Sequence, residues 1–122
     1  MKKLIFLLGV TGLAMTGCYN DKYEELYPAG NCDLSNTTYA ATISRITQQS
    51  CALSGCHDAA TASSGVILDS YSGLQAIALD GRLMKVVKHE NGVVAMPQNA
   101  AQLDKCTIDQ LQQWVDNGAQ NN

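Results

Sequence analysis

Two cysteines and a histidine lie close together near the middle of the chain, at Cys51, Cys56 and His57. Two thiols can add across the two vinyl groups of a haem, and an imidazole directly after the second thiol would then lie beneath the iron. The same residues could instead form a disulfide between the cysteines, or part of a zinc site completed from elsewhere. The disulfide alone would leave the neighbouring histidine without a role.

The two cysteines and the histidine resemble the haem attachment motif of c-type cytochromes. That motif usually has two residues between its cysteines, whereas this chain has four. Attachment depends on where the sulfur atoms lie relative to the vinyl carbons, so a longer spacer is compatible with it if the middle bulges. We expect Ser54 and Gly55 to form that bulge, because glycine has no side chain to oppose a tight or left-handed turn.

The N-terminus has the layout of a secretion signal: two lysines, then an apolar run over 4–16 that is too short to span a membrane. It ends in Met-Thr-Gly-Cys, which resembles the lipobox of bacterial lipoproteins. The resemblance implies a signal peptide over 1–17, a diacylglycerol on Cys18 and an acidic tether over 18–31. The protein would be exported and lipid-anchored to a bacterial membrane, facing the periplasm or the cell exterior. The alternative is a plain cleaved signal with Cys18 as an ordinary thiol.

Cleavage after residue 17 would leave 105 of the 122 residues, enough for one compact domain, which we place at 32–122. Lys2 and Lys3 leave with the signal, so six basic side chains face eleven acidic ones and the net charge is −5. This charge argues against nucleic acid and suits a redox protein partner with a basic docking patch.

The chain has five cysteines, and the compartment outside the inner membrane is oxidising. If Cys18 carries lipid and Cys51 and Cys56 carry haem, Cys32 and Cys106 remain, and we predict a disulfide between them. Such a bridge spans 74 residues, and by loop entropy it would stabilise the fold by about 4 kcal/mol. The alternative is that four cysteines form two disulfides and no haem binds.

An amphipathic helix is predicted at each end of this domain. Apolar residues at i, i+4 and i+7 predict the first helix over 36–50, running into Cys51. Its apolar face consists of Tyr39, Ile43 and Ile46. Thr107 and Gln110 predict a capping box at the start of the last helix, and Gly118 predicts its end. Its apolar face consists of Ile108, Leu111, Trp114 and Val115.

The middle of the chain is rich in turns, because glycines and Asp-Gly or Asn-Gly pairs punctuate it. Two short helices are predicted, over 71–79 and 82–89. The segment 66–68 is predicted to be an extended loop, since the chain offers no second strong strand to pair with it.

The cysteine pair with its histidine, the sequence Met96-Pro97 and the order of the helices together resemble the single-haem c-type cytochrome fold. The resemblance covers about residues 36–118. It implies an all-α, cytochrome c-like fold of three to five short helices around one covalently attached haem c. It also implies that the first and last helices cross and pack on each other.

The iron ligands can be chosen from few candidates, because the chain after residue 17 has two histidines and two methionines. His57 follows the second cysteine and is the predicted proximal ligand. Met96 is the predicted distal ligand, because it lies in a loop before a proline, whereas Met84 lies in an apolar helical run where methionine more often fills the core. His89 is the alternative distal ligand.

These expectations together predict a lipid-anchored monohaem cytochrome that carries single electrons and is not an enzyme. Methionine opposite histidine would raise its reduction potential. The alternatives are an exported, disulfide-stapled binding or structural lipoprotein without haem, and a haem protein with peroxidase-like activity. A zinc domain would need a fourth ligand and thiols protected from oxidation.

Overall fold

The computed structural model of the chain describes residues 32–122, where all the regular secondary structure is helical and no strand occurs. The expected all-α class is therefore confirmed for these residues, whereas the predicted signal peptide (1–17), Cys18 and the tether (18–31) lie outside them. Within the same range, no helix combines the length and apolar character that crossing a membrane requires. The helices are a π-helical segment at Tyr39–Ile43, α1 (Ser44–Ser50), a 3-10 turn at Ser63–Gly65, α2 (Tyr71–Leu79), α3 (Arg82–Val87) and α4 (Lys105–Asp116).

The first helical segment begins at Tyr39, three residues later than predicted, because Thr38 acts as its N-cap. The Thr38 hydroxyl accepts a hydrogen bond from the Ala41 amide at 3.2 Å. The Thr38 carbonyl accepts from the amides of both Thr42 and Ile43, and the bond from Ile43, which spans five positions, gives the π-helical turn. Ile43 is fully buried, as its place on the predicted apolar face requires.

Helices α2 and α3 follow each other closely, and a left-handed glycine, Gly81 (φ +81°), makes the turn between them. The bounds of α2 agree with the prediction, and Ser70 caps its start by accepting from the Gly73 amide at 3.4 Å. Helix α3 ends at Val87 instead of residue 89. The reason is that His89 has a positive φ of 53°, which cannot continue a right-handed helix.

Helix α4 begins earlier than the sequence predicted, because Asp104 is its N-cap. The Asp104 carboxylate accepts from the Thr107 amide at 3.0 Å and from the Thr107 hydroxyl at 2.6 Å. Partial burial acts to raise the pKa of Asp104, but these hydrogen bonds outweigh it and hold the pKa below its ordinary value of 3.8. The predicted capping box of Thr107 and Gln110 was therefore wrong, whereas Gly118 (φ +87°) does follow the end of the helix.

The two ends of the described chain pack on each other around Trp114, which is 1% exposed. The ring centroids of Trp114 and Tyr39 are 6.1 Å apart, and Ile43 and Leu111 belong to the same buried cluster. Packing between the first helical segment and the last helix, which the cytochrome resemblance implied, is thus present. It joins residues about 70 positions apart into one core.

One disulfide and two hydrogen bonds hold the C-terminal part of the chain to the rest of the fold. Cys32 and Cys106 form a disulfide with a Cα–Cα distance of 5.4 Å, as the cysteine count predicted. Beyond α4, the Asn122 carbonyl accepts from the Ala40 amide at 2.9 Å, and the Ala119 carbonyl accepts from the Tyr71 hydroxyl at 2.8 Å. The residues after α4 therefore bond both to the first helical segment and to α2.

Candidate functional site

The spacer between the two cysteines is a tight turn that leaves the end of α1. The Cys56 amide donates to the Leu53 carbonyl at 2.9 Å, which closes a β-turn with Ser54 and Gly55 at its centre. Gly55 has a φ of +84°, the left-handed conformation that the sequence predicted for it. A side chain at Gly55 would meet no atom within 4 Å, so backbone conformation alone favours glycine here.

This turn brings the two ends of the motif together. The His57 amide donates to the Cys51 carbonyl at 3.2 Å, although the two residues are six positions apart. With a two-residue spacer the histidine would be four positions after the first cysteine, and the same bond would be an ordinary α-helical one. The Gly55 amide also donates to the Thr61 hydroxyl at 3.1 Å, which fixes the turn from outside. The two extra residues are thus taken up without separating Cys51 from His57.

The two thiols of the motif differ in their surroundings. Both are free with respect to every other cysteine among residues 32–122, where the single disulfide joins Cys32 and Cys106. Cys51 packs against the core. Its burial is the larger cause, and the nearby Cys56 thiol the smaller one, of a rise in the pKa of Cys51 to about 11. Cys56 is exposed. The structure therefore does not adopt the alternative in which these two cysteines pair with each other.

The imidazole of His57 is held in one orientation by the extended segment that follows it. Its Nδ1 lies 3.1 Å from the Val66 carbonyl oxygen. A carbonyl can only accept, so Nδ1 carries a proton, and in the neutral form of the ring Nε2 then keeps its lone pair. The Nε2 atom has no hydrogen-bond partner among residues 32–122. This arrangement, with one ring nitrogen anchored to a backbone carbonyl and the other left available, is the usual one for a metal-binding histidine.

The segment that holds His57 is itself packed tightly against α2. The Leu68 amide donates to the His57 carbonyl at 2.8 Å, so the segment contacts both the backbone and the ring of the histidine. A Cβ atom at Gly73 would lie 2.0 Å from the Ile67 carbonyl oxygen, which means that only glycine allows this approach. Gly73 lies inside α2, within the helix predicted over 71–79, and its lack of a side chain serves this contact.

Met96 lies in the loop after α3 and is half-buried, and its peptide bond to Pro97 is cis. The Met96 amide donates to the Val86 carbonyl at 3.0 Å, and its carbonyl oxygen lies 3.1 Å from Nε2 of His89. Met84, in contrast, lies on α3 and is buried in the hydrophobic core, with 7% of its surface exposed, as its helical position predicted. The sequence did not indicate the contact between His89 and Met96. It depends on the left-handed backbone of His89, and hydrophobic periodicity does not reveal such a conformation.

Exposed apolar side chains flank the segments that carry the predicted ligands. Of the large apolar side chains that are exposed among residues 32–122, four lie beside these segments in the chain. They are Leu53 (45% exposed) in the cysteine spacer, Ile67 (38%) next to the Val66 acceptor, and Val93 (38%) and Val94 (58%) before Met96.

The structure gives no support to a zinc site at the cysteine motif. Among the described residues 32–122, no three side chains of His, Cys, Asp or Glu lie close enough together to hold a metal ion. A haem iron does not require such a cluster, since its four equatorial ligands come from the porphyrin and the protein supplies the axial ones.

The chain matches no protein-family model, no curated protein and no solved structure.

Proposed function

We propose that residues 32–122 form a cytochrome c-like domain that carries single electrons. Cys51 and Cys56 would hold one haem c through thioether bonds, and His57 and Met96 would be the axial ligands of its iron. When bound, the haem supplies the one-electron redox chemistry, and the protein supplies ligation, burial and a docking surface.

The observation that carries the proposal is the state of His57 beside the two thiols. Its Nδ1 donates to the Val66 carbonyl, so Nε2 is left with the lone pair that an axial ligand needs. The backbone bond from His57 to Cys51 keeps the motif closed despite its long spacer. Two free thiols, an oriented imidazole and flanking apolar surface make a donor set that fits a covalently attached haem.

For the second axial position, the contacts favour Met96 over His89. The Nε2 atom of His89 donates to the Met96 carbonyl, and ligation through that nitrogen would break the bond. A thioether opposite an imidazole raises the reduction potential, because soft sulfur favours the reduced iron. Two filled axial positions favour electron transfer over peroxidase-like catalysis.

The location and partners belong to the same proposal and rest on the sequence. The lipobox-like segment ending at Cys18 supports export and a lipid anchor in a bacterial membrane. A net charge of −5 after signal removal supports a redox partner with a basic docking patch.

The decisive experiment asks whether haem is covalently attached. The full chain is exported in a host with an active haem attachment system, purified, denatured and tested for haem that stays with the polypeptide. Cys51→Ala and Cys56→Ala should each reduce retention, whereas Ser54→Ala, an exposed change in the same spacer, should not. If the verified host yields a polypeptide that loses all haem on denaturation, the proposal is wrong and a cofactor-free, disulfide-stapled protein takes its place.

A deletion tests the argument about the spacer. Removing Ser54 and Gly55 leaves Cys51-Ala-Leu-Cys-His, in which the Cys51–His57 hydrogen bond would become an ordinary i→i+4 bond. We expect this variant to retain haem at least as well as the unchanged chain. If the deletion variant folded but carried no attached haem, haem attachment to this chain would require the two extra residues of the spacer.

A further inference from the structure

The second histidine of the described chain lies where α3 ends and the Met96 loop begins. His89 has a φ of +53°, and its amide donates to the Val86 carbonyl at 3.3 Å. The left-handed conformation costs a residue with a Cβ about 1–2 kcal/mol, although histidine adopts it more often than most. Such a conformation persists where the surrounding contacts fix it, so its contacts need an explanation.

The ring of His89 reaches forward along the chain to the backbone of Met96. Its Nε2 lies 3.1 Å from the Met96 carbonyl oxygen, and because a carbonyl only accepts, Nε2 is the donor. The Met96 amide is held as well, by the Val86 carbonyl at 3.0 Å. Both polar groups of the Met96 backbone are therefore tied to the end of α3, one through a main-chain bond and one through the imidazole.

We propose that His89 is a positioning residue, which fixes the backbone of the segment that carries the distal ligand and does not bind the iron itself. This inference rests on the proposed function. A ligand on a loop needs support from neighbouring groups, because a displacement of a fraction of an ångström weakens its bond to the metal. The left-handed backbone of His89 ends α3 and begins the Met96 loop. The His89 ring then holds this loop by its hydrogen bond to the Met96 carbonyl.

Two substitutions at His89 separate its hydrogen bond from its backbone conformation. His89→Asn tolerates the left-handed φ well, but its shorter amide does not reach the Met96 carbonyl. His89→Gln retains an N–H donor at a distance from the backbone similar to that of Nε2. Glu90→Gln, at the exposed neighbouring position, is the matched control.

Two measurements are made on the purified full chain with its attached haem. The first is hydrogen exchange of the Met96 amide by NMR on the reduced protein. The second is the ferric absorption band that accompanies sulfur–iron ligation. In His89→Asn we expect exchange to be about two- to tenfold faster, from the net contribution of one hydrogen bond, and the band to weaken. His89→Gln and Glu90→Gln should behave like the unchanged chain.

Unchanged exchange and an unchanged band in His89→Asn would overturn the inference. It would also be overturned if Met96→Ala kept a normal low-spin spectrum while His89→Ala lost it, because His89 would then be the ligand. Failure of the proposed function has a separate signature, namely a colourless polypeptide after denaturation of the unchanged chain. In that event the exchange measurement alone decides whether His89 holds the Met96 segment.

Discussion

Replacing Gly73 by alanine should destabilise the protein, although glycine-to-alanine changes inside helices usually stabilise. The Cβ atom would lie 2.0 Å from the Ile67 carbonyl oxygen and 3.1 Å from its carbon, both backbone atoms. Restoring an ordinary 3.4 Å contact requires a shift of roughly 1.4 Å between α2 and the segment that holds His57. Rotation of a side chain cannot relieve this contact.

The size of the effect follows from two opposing contributions. Alanine gains about 1 kcal/mol over glycine in a helix, whereas forcing backbone apart costs about 3 kcal/mol, the upper end for overpacking. The free energy of unfolding should therefore fall by about 2 kcal/mol. The shift should also lengthen the bond from His57 to the Val66 carbonyl, now 3.1 Å, and, under the proposed function, alter the spectrum of the attached haem.

Urea unfolding of the two chains measures the change, and Ser72→Ala is the control. Ser72 is exposed and lies next to Gly73 in the same helix, so its replacement should raise stability by a few tenths of a kcal/mol. If Gly73→Ala were as stable as the unchanged chain, the close approach of Gly73 to Ile67 could not be what positions the His57 segment.

Three further outcomes are expected. In protein prepared without haem, iodoacetamide at pH 8 should label the exposed Cys56 before Cys51, because a pKa of about 11 leaves only about one Cys51 thiol in a thousand ionised. Mass spectrometry measures the two labelling rates, and equal rates would contradict this expectation. The Asp104 carboxylate, whose folded pKa lies below 3.8, adds stability over Asp104→Asn above that pH. That advantage should disappear as pH falls through the folded pKa; a pH-independent difference in urea unfolding would refute it. Reducing the Cys32–Cys106 disulfide should lower the free energy of unfolding by about 4 kcal/mol, and a loss below about 1 kcal/mol would argue against the loop-entropy account.

Features set by local signals were predictable from the sequence. The bounds of α2 follow from apolar spacing between turn residues, and the left-handed turn at Gly55 follows from glycine's lack of a side chain. The Cys32–Cys106 pairing followed from the cysteine count once Cys18 was assigned to lipid and the two central cysteines to haem. In each case a property of the residues themselves limited the possible structures.

Features set by competition or by distant contacts were not predictable. Asp104 and Thr107 are both good N-caps, and which of them begins α4 is decided by the bonds that Thr107 donates to Asp104. Ala119 has no sequence signal for burial, yet it is fully buried because its carbonyl accepts from Tyr71, 48 positions away. The contact between His89 and Met96 likewise depends on a left-handed backbone that no periodicity indicates.

The two proposed ligand segments are attached to one pair of helices, and this explains how a small fold could hold both. The His57 segment rests on α2 through the approach of Ile67 to Gly73, and the Met96 segment is bonded to the end of α3 at Val86. Helices α2 and α3 share a buried core and are joined by a single short turn. A change within either loop should therefore disturb one ligand, whereas a change in the packing of α2 on α3 should move both ligands relative to each other. The rigidity of that helix pair, more than that of either loop, is what would set the ligand geometry of the iron.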